Sequence, residues 1–215
     1  MKVSLGIFAK TPQPGQTKTR LIPLLGEEGA AAAHRQLVAQ CLMGIEPLHA
    51  TPPVALGGEH PTWQPQLWVT DHSQETFQWS EGWSLPVHLQ CGADLGERMF
   101  HGLAQMLEEG ADLALLIGSD CPGIDADYLT SAVVRGGTAD LLLGPAEDGG
   151  YGLIGLRQPM PEIFKNIAWG TDQVLDQTLS RARALGLSVA LMETVWDVDT
   201  PDDWSRYLRW RERSR

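Results

Sequence analysis

The sequence has no excess of positive charge, no paired cysteine motif and no apolar run of membrane-spanning length. Each absence removes a class of function. Sixteen Lys and Arg stand against 27 Asp and Glu, for a formal net charge of −11. The broad basic face that duplex nucleic acid requires is therefore missing. Cys41, Cys91 and Cys121 are an odd set without CxxC spacing, which argues against a disulfide framework or zinc ribbon and fits a reducing compartment. The six histidines show no ligand spacing such as HxxxH and are read as structural. No stretch approaches the ~18–20 apolar residues of a membrane helix, and the apolar start within Met1–Lys10 is too short for a signal peptide. The expectation is a cytoplasmic protein with neither a membrane nor a nucleic-acid partner.

What is present is an ordinary globular composition, 43% hydrophobic and 20% charged over 215 residues, which suits one well-buried domain over 1–215. Short apolar runs alternate with helical patterns, the order expected of an α/β fold with a mixed, mainly parallel sheet flanked by helices. Strands are expected at Val3–Phe8, Val54–Leu56, Leu67–Val69, Leu85–Leu89, Leu113–Ile117 and Ser188–Met192. Helices are expected over about Gly29–Leu48, from about Leu95, from an N-cap at Thr171 to a stop at Gly186, and after an N-cap at Thr200.

Ligands of open α/β sheets bind outside the carboxyl ends of the strands, and the polar motifs of this chain follow its apolar strands. Lys10 to Arg20 is a loop stiffened by Pro12 and Pro14, with Gly15 free to turn tightly. Its Lys10, Lys18 and Arg20 can gather around a phosphate, or they are simply solvated. It is not a Walker A loop, because Pro12 and Thr17 stand where that motif requires glycine. Gly118-Ser119-Asp120-Cys121-Pro122 ends a buried strand, and an aspartate there is costly unless it binds something. Asp120 reads as a turn or cap residue, or as a metal ligand. Asp197-Val198-Asp199 adds two carboxylates that alternation points to one side of an extended chain. Mg2+ takes one or two carboxylates plus phosphates and water, so Asp120, Asp197 and Asp199 are candidate ligands. Gly144 to Gly152 carries Asp148-Gly149-Gly150-Tyr151, either a type I′ hairpin turn or an acceptor site. Asp94-Leu95-Gly96-Glu97-Arg98-Met99 opens a helix beside the candidate phosphate site, and Trp169-Gly170-Thr171 offers an aromatic face, unless Trp169 is core. Cys121 has no visible base and is not read as a nucleophile.

Taken in order, Lys10-Thr11-Pro12-x-Pro14-Gly15-x-x-Lys18-Thr19-Arg20-Leu21, Asp94 to Met99, Gly118 to Pro122, Gly144-Pro145-Ala146-x-Asp148-Gly149-Gly150-Tyr151, Trp169-Gly170-Thr171 and Asp197-Val198-Asp199-Thr200-Pro201 resemble the DUF2064 family of GT-A-type transferases. Some members are described as arsenosugar-biosynthesis glycosyltransferases. The wider superfamily includes phospholactate and molybdopterin guanylyltransferases. The resemblance spans about residues 3–204. It implies a Rossmann-like nucleotide-diphospho-sugar transferase fold, a Mg2+ (or Mn2+) cofactor on Asp120, Asp197 and Asp199, and a nucleotide or nucleotide-sugar donor on the first strand and its loop. Nucleotide-binding residues on this reading are Phe8, Ala9, Lys10, Gly15, Lys18, Arg20, Asp94 and Ser119. A small-molecule acceptor meets Asp148, Gly149, Gly150, Tyr151, Trp169 and Thr171. Asp120, Asp148 and Lys18 are the catalytic candidates. Nucleotidyltransferases carry a glycine-rich, arginine-containing loop after the first strand, whereas this chain has Lys10 and two prolines. Glycosyl transfer is favoured. Nucleotidyl transfer and a non-catalytic nucleotide-binding role stay open, as does a homodimer.

Overall fold

A computed structural model describes residues 1–48 and 61–213. Among the described residues seven strands form one sheet: β1 (Lys2–Ala9), β2 (Thr62–Val69), β3 (Val87–Leu89), β4 (Leu113–Gly118), β5 (Leu141–Pro145), β6 (Tyr151–Leu156) and β7 (Val189–Leu191), in the order β3-β2-β1-β4-β6-β5-β7. Only β6 runs against the others. The described helices are α1 (Ile22–Ile45), α2 (Gln74–Trp83), α3 (Leu95–Glu108), α4 (Ala126–Gly136), α5 (Val174–Ala184) and α6 (Pro201–Arg213). The α/β, mainly parallel architecture is the one expected.

Both faces of the central strands are buried, which is why they read as continuous apolar runs. Val3, Leu5 and Ile7 of β1, with Leu113, Leu115 and Ile117 of β4, face one core layer, shared with Val38, Leu42 and Ile45 of α1 and Leu129 of α4. Ala114 and Leu116 face the opposite layer, against Met99, Leu103 and Met106 of α3 and Ala182 of α5. A third cluster joins Leu37 of α1 to Trp204 and Tyr207 of α6 and includes the fully buried Val198. Shortening a side chain such as Leu115, fully buried in this wall, costs about 2–5 kcal/mol.

Several boundaries differ from the sequence reading. Helix α1 starts earlier, at Ile22, but Gly26 is non-helical and breaks its first turn. Helix α2 was not expected, because Gln74-Glu75-Thr76-Phe77-Gln78 has no apolar stripe. A Ser73/Thr76 capping box starts it, an Arg35–Glu75 ion pair ties it to α1, and Trp79 and Trp83 pack on the core. Strand β2 reaches back to Thr62 through Pro65, tolerated because β3 pairs only with residues 67–69 and leaves that end an edge. Thr171 is not an N-cap. Helix α5 begins at Val174, and the Thr171 hydroxyl instead donates to the Ala168 carbonyl at 2.8 Å. The expected strand at Val54–Leu56 lies outside the described residues. Thr200 does cap α6, in a reciprocal pair with Asp203. No described helix is long and apolar enough to cross a membrane.

Candidate active site

Six of the seven strands point their carboxyl ends to one rim, so the loops after β1, β4, β5 and β7 converge there. Backbone bonds stitch that rim: Ser119 N–H donates to the Phe8 carbonyl at 3.2 Å, Val198 N–H to Asp120 at 3.0 Å, and Glu147 N–H to Val195 at 3.0 Å. These bonds bring positions 8, 120, 147 and 198 into one neighbourhood.

The first loop is fixed by its threonines. Thr17, buried, donates from its hydroxyl to the Thr11 carbonyl at 3.1 Å and accepts from Gln13 N–H at 3.1 Å. Thr11 N–H donates to the Thr70 hydroxyl at 3.1 Å. This frame turns Lys18 into the left-handed region, φ 49°, an uncommon state for a residue with a β-carbon that points to a held functional group. Its side chain is only 7% exposed, and its ammonium lies 2.7 Å from Asp120 Oδ2 and 3.7 Å from Asp199 Oδ1. Arg20 reaches the other Asp199 oxygen at 2.6 Å.

The electrostatics follow from this contact. Burial opposes the Lys18 ammonium, but Asp120, Asp199 and Asp197 together outweigh it and raise its pKa. Burial likewise pushes the Asp120 carboxyl up, and the Lys18 charge and hydrogen bond outweigh it, so Asp120 sits below its ordinary value. Asp197 has no ion pair among the described residues. Burial, then Asp120 and Asp148, push it up to about 6. Cys121 lines the same floor, and burial with the Asp120 charge raises its thiol well above the usual range, consistent with an inert side chain.

Two cavities meet at Asp120, Gly118 and Leu95. The first, about 480 Å³, is lined by Phe8, Ala9, Lys10, Lys18, Arg20 and Ser119 from the candidate nucleotide-binding set, by the candidate metal ligand Asp199, and also by Arg98, Gln90, Thr70 and His34. The second, about 260 Å³, is lined by Asp148, Gly150, Tyr151, Trp169, Thr171 and Asp197, with Leu95, Met99 and Val174. Asp197 and Asp199 also share a shallow rim cavity with Asp148, while Val198 between them is fully buried, so the expected alternation holds.

Three candidates serve the scaffold instead of the cavity walls. Asp94 accepts from Glu97 N–H at 2.8 Å as the cap of α3. Gly15 turns beside Glu27, and neither it nor Asp94 lines a cavity named above. Gly149, at φ 87°, closes a three-residue loop of Glu147, Asp148 and Gly149, with Gly149 N–H on the Ala146 carbonyl and Ala146 N–H on that of Gly150. That three-residue pattern differs from the two-residue type I′ turn that was one of the two readings of this segment. A Cβ on Gly149 would overlap the Asp172 carbonyl, so glycine lets the hairpin seat against α5.

Arg98, Gln90 and His34 were missed as cavity residues. Gln90 follows β3 as Lys10 follows β1, and donates to the Trp68 carbonyl at 3.0 Å. Arg98 stands one turn after the Asp94 cap. His34, buried, donates from Nε2 to the Lys10 carbonyl at 2.9 Å, leaving Nδ1 without a partner. Burial keeps it neutral.

A family model described as an uncharacterized protein conserved in bacteria (DUF2064) matches residues 55–171. This chain belongs to the DUF2064 family. Among solved structures, the DUF2064 chain is similar to a provisionally assigned nucleotide-diphospho-sugar transferase from Desulfovibrio desulfuricans G20, with 30% identity, a TM-score of 0.78, and 92% of this chain and 82% of that one covered. It is also similar to a nucleotidyl transferase from Methanothermobacter, at 11% identity, TM-score 0.62 and 99% of each chain. A third is glucosyl-3-phosphoglycerate synthase from Mycobacterium tuberculosis in complex with Mn2+, UDP and glucosyl-3-phosphoglycerate, at 12% identity, TM-score 0.53, and 94% of this chain and 74% of that one covered. The last two likenesses concern the fold alone. A comparison with curated proteins found no match.

Proposed function

We propose that this DUF2064 protein is a transferase that moves a glycosyl group from a nucleoside-diphospho-sugar to a small hydroxyl-bearing acceptor, with Mg2+ or Mn2+ as cofactor. One observation carries the reading. A cavity with Lys10, Lys18, Arg20 and Arg98 on its walls shares the Asp120 wall with an aromatic-walled cavity that has no cation. Phosphates belong on the first side, and the reacting carbon falls at the junction.

The acidic residues suit a hard divalent ion, because they offer oxygen alone. Burial, and then the charges of Asp120 and Asp148, push Asp197 up to about 6, and a bound cation would favour its ionised form. Among the described residues, no three His, Cys, Asp or Glu gather into a metal-holding group as they stand, and the Lys18 ammonium contacts both Asp120 and Asp199. Asp120, Asp197 and Asp199 are the residues that would hold the ion, with Lys18 as a second positive charge. When bound, the ion would neutralise phosphate charge as the nucleoside diphosphate leaves. Lys10, Lys18, Arg20 and Arg98 bind and orient the diphosphate. Asp148 accepts the proton of the attacking hydroxyl, and Trp169 orients the acceptor.

Thermal unfolding with UDP, GDP, CDP and ADP, with and without MgCl2, tests this. A ligand at 100 times its Kd adds about 2.7 kcal/mol, which for a chain of this size is roughly 5–10 °C. Asp120→Asn is expected to lose the metal-dependent part. If no nucleotide moves the transition, the proposal fails. Release of a nucleoside diphosphate supports glycosyl transfer, whereas pyrophosphate marks nucleotidyl transfer.

A further inference from the structure

Resting on that two-lobed reading, we infer that the acceptor is an uncharged polyhydroxylated compound, a neutral sugar or polyol, that stacks on Trp169, and that phosphate-bearing acceptors are rejected.

The charges on the two sides of Asp120 differ. The nucleotide side is lined by Lys10, Lys18, Arg20 and Arg98 against Asp120 and Asp199. The charged residues lining the acceptor side are Asp120, Asp148 and Asp197, without Lys, Arg or His. The neighbouring rim cavity adds Glu147 and Asp203, and its Arg20 is already paired with Asp199. Arg206, which reaches Glu147 at 2.6 and 3.0 Å, is held over the Trp196 ring, 4.2 Å from its centroid. A phosphate monoester entering here would meet like charge with no donor fork to receive it.

The shape agrees. At about 260 Å³, the acceptor side falls just below the roughly 300–1,000 Å³ of ordinary ligand pockets, suiting a single small ring. Trp169 is half-buried and fixed. The Tyr151 ring meets it edge-on at 6.5 Å, and the Phe164 ring lies 6.5 Å away. Gly96 lies so close beneath it that a Cβ there would stand 2.5 Å from Trp169 Cζ2. A rigid indole face matches the apolar C–H face of a sugar ring, while Asp148 and Thr171 at the edges can take hydroxyls.

Saturation-transfer NMR on the full chain tests this, with and without saturating UDP and Mg2+. The probes are methyl glucoside, methyl galactoside, methyl riboside and glycerol, each against its phosphate monoester, up to millimolar concentrations. At least one neutral member is expected to bind, and its phosphate ester at least about tenfold more weakly. Trp169→Leu should abolish the neutral signal while keeping the nucleotide-dependent thermal shift. A phosphate ester that binds as well as its neutral parent overturns the inference. So does silence from every neutral probe, or a signal that survives in Trp169→Leu. Because nucleotide binding is read separately, failure here with nucleotide shifts intact removes only the acceptor assignment. Absent nucleotide shifts remove the donor reading instead.

Discussion

Replacing Lys18 by Met removes the one ammonium that holds Asp120 and Asp199 together, and the consequence can be worked from the contact. Stripping one partner from a fully buried ion pair costs about 3–5 kcal/mol. Here Lys18 is 7% exposed, but both carboxylates are 34% exposed, so water recovers part of that loss and a discount to about 2 kcal/mol is warranted. For a chain of this length each kcal/mol shifts Tm by roughly 2–4 °C, so K18M should melt about 4–8 °C lower near neutral pH. The linkage sign is definite. Asp120 is held below its ordinary value, so it contributes stability above the unfolded carboxyl pKa of about 3.9 and loses it as pH falls through the folded value. Lys18 is held above its ordinary value, so its contribution is present below about 10.4 and is lost as pH rises through the folded pKa. The gap between parent and K18M should therefore be widest between about pH 4 and 10 and should close in acid. Circular dichroism melts from pH 3 to 9 in EDTA read this directly. Equal melting temperatures at pH 7, or a gap of constant size down to pH 3, would refute the reasoning.

Three further outcomes follow from the same geometry. Asp197 titrates near 6 in the folded protein, above its unfolded value, so its proton is taken up on folding and its ionised form costs stability above that pH. Mg2+-dependent stabilisation by UDP should weaken as pH drops through about 6, and the step should vanish in Asp197→Asn. Gly149→Ala puts a β-carbon at φ 87° and into the Asp172 carbonyl, which should cost roughly 3 kcal/mol or more. Urea melts check the size, and a loss under 1 kcal/mol would mean that the hairpin seats differently. Gly96→Val should push Trp169 from its place and abolish binding of the neutral probes while leaving nucleotide thermal shifts within about 1 °C of the parent.

Much of this was legible in the chain. Val3–Phe8 and Leu113–Ile117 announce central strands because both of their faces are buried, and their carboxyl ends mark where ligands gather. Asp197-Val198-Asp199 was readable because only an extended segment with Val198 in the core can present both carboxylates. Helix α2 was hidden, since its stability comes from Trp79 and Trp83 meeting a core built by distant segments, and from Arg35 on α1. Strand β6, the antiparallel one, was concealed by a loop whose glycines fit several turns.

The sequence alone determined much of the rim: the central strands β1 and β4, and that Lys10, Asp120 and Asp148 follow apolar runs. It could not decide which charge neutralises which, because pairing depends on distances between residues as far apart as Lys18 and Asp120. Only the fold put the Lys18 ammonium against both Asp120 and Asp199 and left Asp197 without an ion pair among the described residues. Only the fold divided the cleft into a cationic and an acidic half. Periodicity and spacing are local properties of the chain, whereas the field at a site is a sum over everything that folding brings near.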